Sequence, residues 1–578
     1  MGNAEFVQLL KQAADALEIE KVNWKPRAYR KAAHGIENLQ APLNQVYKEG
    51  GLKALEKIPG VGPSIALHIE EYLKFGKVKK WETLFKKVPK SSTELLNIQG
   101  LGPSRIKILE EELGVRSVAQ LKRALKQKKL RKIPSLGAKL EENLTKSLDE
   151  YSKGHGRMLL SVATYLSQDI IEYLNEAADV EKVLAAGSLR RGCSTIGDID
   201  ILAQSKNPQA AIDIFGKMPS VSRVLARGPT KISVMLKNGV QVDLRILPPE
   251  SYGAALVYFT GSKAHCIELR KIAIKKNYKL SEYGIYNKTT NRRFSSKTET
   301  EVYNRLGLEF IPPQLREMRG EIPAAQKDAL PKLVQRSDIK GDLHVHTNYS
   351  DGTESVDSMV RAAIARKYKY IAITDHSPFQ TIANGLSPER LKKQWKDIER
   401  ARKKYGSKIK ILKGAEIDIL KDGSLDYPEE ILKKFDICVC ALHSSLRLSE
   451  KQQTERICTA LENKYLSILA HPTGRMIGKR PPSSINFKKV FEAAAENKKV
   501  LEINSQPLRL DLSDTNVFKA RDYNILFSID TDAHASSSLD FVQFGVEDAQ
   551  RGWLTKKSVV NTYPFSKLKK VFPRISLS

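Results

Sequence analysis

The sequence predicts a multidomain chain with a helical front end, an α+β middle and a back half built as a parallel (β/α)7-type barrel. Three observations carry this. Glycine-punctuated helical phrases recur in the first 150 residues, a strand-like run near position 200 holds two aspartates one residue apart, and the six histidines after residue 340 all follow short apolar runs. The 578 residues also exceed one core, since domains commonly hold roughly 100 to 200 residues and a barrel about 250.

The bulk numbers bound the partners. The 96 Lys and Arg against 66 Asp and Glu give a formal charge of +30, which favours a polyanion, most often nucleic acid. Ribosome-associated and membrane-surface proteins share that bias, so charge alone does not name the partner. No stretch approaches membrane-spanning length, and MGNAEFVQLLKQAADALEI reads as an amphipathic helix with acidic residues rather than a signal peptide. No membrane partner and a cytoplasmic location are therefore expected. The five cysteines (Cys193, Cys266, Cys438, Cys440 and Cys458) show no paired metal spacing, as in a reducing compartment without disulfides. In ICVCALH, alternation puts Cys438 and Cys440 on one strand face as buried thiols.

Residues 1–90 and 91–154 read as two helical regions. IPGVGPSIALHI from Ile58, NIQGLGPSRIKIL from Asn97 and IPSLGAKLEENL from Ile133 form an internal repeat. A GxG turn before a helix presents backbone N–H groups that hold a phosphate without reading bases, which places Gly60, Gly62, Gly100 and Gly102 against a DNA backbone. These phrases resemble the helix-hairpin-helix motif; one copy alone would equally be a tight turn between packed helices. The run from Lys122 to Lys132, KRALKQKKLRK, is either a phosphate contact or a solvated helix face.

From about 155 to 318, VEKVLAAGSLRRG, GDIDILA and KISVMLKNGVQVDLRIL mix strands with helices. The period of two puts Asp198 and Asp200 on one strand face. Asp243 lies inside the apolar VQVDLRIL, where an unpaired charge is costly unless it meets a cation. Three such carboxylates suit two Mg²⁺ ions and an in-line phosphoryl transfer. Upstream, Gly187, Ser188, Arg190 and Arg191 of GSLRRG can cradle a phosphate. Residues 319–338 carry scattered Pro and charge and read as a linker to a domain over 339–578.

In that last domain the runs GDLHVH, YIAITD, KILKGAEIDI, DICVCALH, LSILAH, KVLEIN and LFSIDTD are separated mostly by helix-patterned stretches, which predicts a parallel barrel. Barrel function clusters at the C-terminal strand ends, where the histidines fall. His344, His346, Asp351, His376, Glu416, His443, His471, Asp532 and His534 are thus expected to bind two or three ions, a mixed set suited to Zn²⁺, Mn²⁺ or Fe²⁺. Such a cluster produces hydroxide near neutral pH and hydrolyses a phosphoester.

Over about the first 318 residues, GSLRRGCSTIGDID, VDLRILP and YFTGSKAH resemble the palm (155–255) and thumb (256–318) of family X DNA polymerases. The resemblance implies addition of deoxynucleoside triphosphates to gapped or primed DNA. Asp198, Asp200 and Asp243 would be catalytic metal ligands, with Asp243 helping to deprotonate the primer 3′ hydroxyl. Gly187, Ser188, Arg191 and Gly197 would meet the nucleotide's phosphates, Tyr258, Phe259 and Gly261 would line the sugar pocket, and Arg270 would lie near the templating base. KPRAYRKAAHGI resembles the family's first segment and implies Lys25 and Tyr29 at a 5′ phosphate. Two positions depart from the pattern: Cys266 replaces an Asn at the incoming base, and His68 replaces the Schiff-base lysine. An imidazole forms no imine, so lyase activity by that route is not expected.

GDLHVHTNYSDG, ITDHS, GAEIDI, ALHS, AHP and DTDAH resemble the motifs of the PHP (polymerase and histidinol phosphatase) family, with all nine ligand positions filled. The two resemblances in this order imply short-gap filling of the base excision repair type, joined to a Mn²⁺-stimulated 3′–5′ exonuclease or related cleavage of 3′ ends or abasic sites; a monomer is expected, though no residue pattern fixes the oligomeric state. Arg475 and Lys479 of GRMIGKR are candidates for nearby DNA phosphates, with a solvated loop as the reading that either residue alone favours. Two other readings stand beside this one: a nucleotidyltransferase acting on RNA ends or a small acceptor, and a DNA tether carrying a phosphatase for a small metabolite.

Overall fold

The computed structural model describes residues 3–37, 43–58, 60–98, 101–133, 136–138, 140–142, 144–145, 148, 157–177, 180–205 and 207–577. The front end is helical. Helices Asn3–Ile19, Lys25–Glu37, Leu43–Glu56, Pro63–Phe75 and Lys79–Lys87 bury Phe6, Ile36, Ile69, Tyr72 and Trp81 in one core. Helices Pro103–Leu113 and Val118–Lys126 build a second core around Leu95, Ile106, Leu109 and Leu121. In each of the first two repeats a glycine, Gly62 or Gly102, sits in extended backbone before a proline-initiated helix. The expected contact at Gly100 and part of the third repeat lie outside the described residues.

The middle centres on a five-stranded sheet. Its strands are β1 (Lys182–Ala185), β2 (Ile199–Gln204), β3 (Val221–Arg227), β4 (Lys231–Leu236) and β5 (Gln241–Leu247), in the order β1-β2-β5-β4-β3. Only the β2–β5 pair is parallel, and it sets Asp200 opposite Asp243. Ile232, Val234 and Leu236 alternate inward along β4 and pack with Ala211, Ile212 and Phe215 of helix Pro208–Gly216. Beyond the sheet, helices Tyr252–Thr260 and Lys263–Lys275 and three short antiparallel strands share a core with Val302 and Tyr303 of helix Glu299–Leu306.

The back half is a parallel sheet of seven strands taken in sequence order: β6 (Gly341–Asp342), β7 (Tyr370–Ile373), β8 (Lys410–Asp418), β9 (Ile437–Ala441), β10 (Ile468–Leu469), β11 (Val500–Asn504) and β12 (Phe527–Asp530). A parallel bridge between Val345 and Ala533 joins its two ends, so the sheet curls nearly closed. Alternation splits the strand residues into two layers. Tyr370, Leu412, Ile437, Val439 and Ile468 form one cluster with Tyr563, Leu568 and Phe572 of the C-terminal tail. Ile371, Ile417, Cys438, Cys440 and Ile503 pack with residues of the surrounding helices. Both cysteines are fully buried, and burial pushes their thiols upward. Ser355, Ser387, Ser449 and Asn486 accept a hydrogen bond from the first turn of the helices they precede, fixing where four of the crossover helices start.

Segment 319–338, read from its composition as a linker, is pinned by packing and charge. Glu321, Ile322, Ala325 and Val334 are buried, and Arg319 Nη2 lies 2.8 Å from Asp514 Oδ2 of the barrel domain. The partners of this segment lie far away in sequence, which local composition does not register. Leu510 and Phe544 of the barrel domain also join the core of the five-stranded sheet. Among the described residues no helix is long and apolar enough to cross a membrane.

Candidate active sites

The nine expected metal ligands converge at the C-terminal ends of the barrel strands. Three groups of side chains each place their ligand atoms within 4.8 Å of one another: His346, Asp351, His376 and His534; His344, His346, Glu416 and Asp532; His376, Glu416 and His443. Glu416 links two of them, with Oε2 3.0 Å from His376 Nδ1 and 3.4 Å from His346 Nε2. Its Oε1 lies 3.1 Å from His443 Nε2 and 2.8 Å from His471 Nε2.

The donor set fits divalent cations. His344 Nε2, both ring nitrogens of His346, His376 Nδ1 and Glu416 Oε2 are buried and, though close to one another, make no well-aligned hydrogen bond. So many orphaned donor atoms facing one point would be costly unless a cation satisfied them. The charges are tuned for it. Burial would raise Glu416, yet His376, His443 and His344 hold it well below the usual carboxylate range. Burial and Arg509 push His471 down to about 3, leaving a neutral imidazole able to ligate.

Several supporting groups escaped the sequence reading. Glu502 of β11 brings Oε1 within 2.6 Å of His344 Nδ1, and its Oε2 accepts the His471 backbone N–H at 2.7 Å. Asp418 of β8 sets Oδ2 3.2 Å from His443 Nδ1. Asp375 accepts the Thr347 N–H at 2.7 Å and the Gln394 side-chain amide at 2.6 Å, holding the loop that carries Asp351. Arg509 Nε lies 3.4 Å from Asp532 Oδ2, while its Nη1 is buried without a hydrogen-bond partner. A signal for Glu502 was present: a carboxylate inside the apolar KVLEIN needs a partner as Asp243 does in VQVDLRIL. Arg509 sits in a turn within the alternating LRLDL, a pattern that marks burial of the leucines and not a role for the arginine between them. Of the two expected phosphate contacts, Arg475 donates to the Arg509 and Leu510 carbonyls instead, and Lys479 is exposed.

The sheet of the middle region forms a second acidic site. Asp198 precedes β2 and is exposed; Asp200 and Asp243 lie side by side on β2 and β5. Burial, then the charges of Asp198 and Asp243, push Asp200 up to about 7 against the pull of Arg245 and Arg191, as crowding of carboxylates does. Gly187 has φ +61°, and a Cβ there would collide with Asp200 Oδ2, so the GSLRRG backbone lies directly against this carboxylate. Ser188 stands in the same short helix, Gly187–Arg190, and Gly197 precedes Asp198.

The arginines do not face the carboxylates as a cradle. Arg190 makes a two-pronged pair with Glu299, at 2.9 and 2.6 Å. Arg191 Nε lies 2.9 Å from Glu317 Oε1, and its Nη1 donates to the Thr260 carbonyl at 2.6 Å. Tyr258 and Phe259 form an edge-on ring pair 5.0 Å apart near the end of their helix, followed by Gly261 at its C-cap. Cys266 is buried with its thiol toward the Val257 and Tyr258 carbonyls, and Arg270 Nε donates to the Cys266 carbonyl at 3.3 Å.

At the front end, Gly60 has φ +84°, and a Cβ there would strike the Lys31 backbone. Lys25 is exposed, but Tyr29 is 6% exposed and its hydroxyl accepts from the Trp81 indole at 3.4 Å. His68 packs 5.1 Å from the Trp81 ring, and burial lowers its pKa.

Known proteins resemble the chain along its length. Family models match for a helix-hairpin-helix domain over residues 1–78, a SAM-like helix-hairpin-helix tandem over 92–150, a DNA polymerase beta thumb over 255–317 and a PHP domain over 342–506. The DNA polymerase/3′-5′ exonuclease PolX of Bacillus subtilis is 36% identical over 564 residues, covering 97% of each chain. A probable phosphatase of Thermoanaerobacter sp. is 30% identical over 233 residues, 38% of this chain and 89% of its own. Another, of Acetivibrio thermocellus, is 32% identical over 177 residues, 28% of this chain and 64% of its own.

Proposed function

Since the chain belongs to the family X DNA polymerases that carry a C-terminal PHP domain, we propose that it fills short gaps in DNA at the three aspartates and trims 3′ ends at the barrel cluster, as one repair enzyme. It is a DNA polymerase and 3′–5′ exonuclease that uses DNA, deoxynucleoside triphosphates and divalent metal ions. The supporting observation is the presence of two separate metal-ready sets in one chain, the Asp200–Asp243 pair and the three His-carboxylate groups.

Each set divides the work among named residues. Bound divalent ions supply charge neutralisation and, in the barrel, an activated water; Mg²⁺ suits the carboxylates and Mn²⁺ or Zn²⁺ the imidazole-rich cluster. Asp198, Asp200 and Asp243 hold the ions, and Asp243 takes the primer 3′ hydroxyl proton. The Gly187–Ser188 turn, which lies against Asp200, meets the triphosphate. Arg191 must leave Glu317 to join it. In the barrel, Glu502 and Asp418 orient His344 and His443. Arg509, with its buried unpartnered nitrogen, neutralises the scissile phosphate.

The two probable phosphatases support a second reading of the barrel as a phosphatase for a small metabolite. A labelled one-nucleotide gap separates the readings when wild type, Asp198→Ala with Asp200→Ala, and His344→Ala with His346→Ala are compared in Mg²⁺ and Mn²⁺. The aspartate pair should lose extension alone and the histidine pair shortening alone. Shortening that survives in the histidine pair, with hydrolysis of a small phosphomonoester lost, would favour the phosphatase.

A further inference from the structure

Among the described residues of the barrel domain, Phe379 and Ile382 are the only large apolar side chains that stand exposed, at 47% and 93%. Both lie in the loop of residues 377–385, which leaves the cluster ligand His376. Apolar residues scattered singly over a surface need no function, but these two share one loop beside one site. The other exposed side chains of the loop, Thr381 and Asn384, carry no charge.

The loop borders the open side of the cluster. His344, His346, Glu416 and His471 are fully buried, whereas Asp351, His443 and His534 are half-buried. Anchors tie the loop to two of these three open ligands. Gln380 Nε2 donates to Asp418 Oδ1 at 3.2 Å, and the other oxygen of Asp418 lies 3.2 Å from His443 Nδ1. Arg390 donates to the Asn384 and Gly385 carbonyls, at 2.6 and 2.9 Å, and to the carbonyl of Tyr349, two residues before Asp351. The loop also closes on itself. Leu386 N donates to the His376 carbonyl at 2.8 Å, and a Cβ at Gly385 would strike the Ser377 carbonyl. Asp426 Oδ2 accepts the Phe379 N–H at 2.7 Å, so the backbone that carries the ring is fixed while the side chain stays exposed.

We propose that Phe379 is the base platform of the barrel nuclease: its ring stacks on the 3′-terminal base of a DNA strand while the phosphodiester to be cut lies on the metal cluster. A 3′–5′ exonuclease brings a nucleobase beside its ions at every turnover, and an aromatic ring takes any of them because every base has a π-face. Three residues separate Phe379 from His376, so their backbones lie at most about 11 Å apart. Uncharged neighbours in the loop suit a base and leave the phosphate to the ions. This rests on the reading of the barrel as a DNA 3′-end nuclease.

The test compares the full chain with Phe379→Ala, Phe379→Leu and Phe379→Trp on two single strands in Mn²⁺. The strands differ only at the 3′ end, one closing in thymidine and the other in a tetrahydrofuran residue that has the same phosphodiester and no base. Phe379→Ala should lower kcat/KM for the first cut of the thymidine-ended strand about tenfold, mainly through KM, and leave the baseless strand unchanged. Phe379→Leu, which keeps apolar volume without a flat face, should lose nearly as much, and Phe379→Trp should cut as wild type does. Gap extension and thermal stability should not change in any of them. A strand ending in 2-aminopurine, bound in Ca²⁺, should be quenched by wild type and stay bright with Phe379→Ala. Equal kcat/KM of wild type and Phe379→Ala on the thymidine-ended strand would overturn the proposal. An equal loss on both strands would overturn it too, because the loop would then support the cluster or seat another protein rather than a base. A wild-type protein that shortens neither strand would instead refute the nuclease reading, and the platform with it.

Discussion

Glu502 holds two parts of the barrel cluster at once, the His344 ring through Oε1 and the His471 backbone through Oε2. Burial lifts it to about 7 while His344 pulls it down, so its charge is sustained by the imidazole it orients. Glu502→Gln keeps the shape and removes the charge. Metal affinity measured by titration calorimetry should fall about 10- to 100-fold, the usual cost of removing an outer partner of a ligating histidine. Shortening at limiting Mn²⁺ should fall with it and recover in excess Mn²⁺, while gap extension stays unchanged. Glu416 and Asp351 differ in the same spirit: Glu416 belongs to two ligand groups and Asp351 to one. Atomic absorption should find more than one ion lost per chain in Glu416→Gln and at most one in Asp351→Asn. The six histidines of the cluster were legible in the sequence because each follows a short apolar run. Glu502 was not, because a lone carboxylate in a β run announces a need for a partner without naming which histidine meets it.

At the scale of elements, short segments set the chemistry by where they force the backbone. The turn at Gly187 is one. Its positive φ and its contact with Asp200 mean that Gly187→Ala must strain the backbone by about 1 kcal/mol and displace the Asp200 carboxylate as well. Extension should drop at least about a hundredfold in Gly187→Ala, since misplacement by about an ångström is enough for that, with shortening unaffected. Helix Val542–Arg551 is another. Its Glu547 carboxylate faces Gly192, and burial lifts it to about 7 against the opposing pull of Arg551. The folded chain then keeps a proton that the unfolded chain releases between about 4.5 and 7, so this group's contribution to stability falls as pH rises through that window. Glu547→Gln should raise thermal stability at pH 8 by up to about 3 kcal/mol and leave it unchanged near pH 4. The segment around Gly187 was predictable from its strand-like flanks and glycines, whereas helix Val542–Arg551, which no side chain caps, drew no reading. Their meeting was not predictable, because Gly192 and Glu547 lie hundreds of positions apart and share no local pattern.

Across the whole molecule one cluster of charges joins the palm, the thumb and segment 319–338 to the barrel domain. Arg551 of the barrel domain donates to Glu317 Oε1 at 2.9 Å, to Asp514 Oδ2 at 2.9 Å and to the Arg191 carbonyl at 2.9 Å. Glu317 also binds Arg191 at 2.9 Å, and Asp514 binds Arg319 at 2.8 Å. Burial raises both carboxylates, yet the arginines hold Glu317 and Asp514 below their usual range, so both are ionised and rely on their partners. The composition of 319–338 read as a linker because Pro and charge scattered through it hide contacts made about 195 residues away. Removing Arg551 leaves two largely buried carboxylates short of a cation, a loss on the order of 3 kcal/mol. Arg551→Ala should therefore let the barrel move against the polymerase half, seen as faster limited proteolysis between residues 319 and 338. Because Glu317 would then bind Arg191 alone, the nucleotide KM for gap extension should rise, with shortening of a single strand little changed. Arg551→Lys should restore only part of the protection, since one ammonium cannot serve acceptors that a guanidinium fork reaches together. Equal proteolysis in wild type and Arg551→Ala would mean that the apolar contacts of Leu510 and Phe544 with the palm core hold the halves together without these charges.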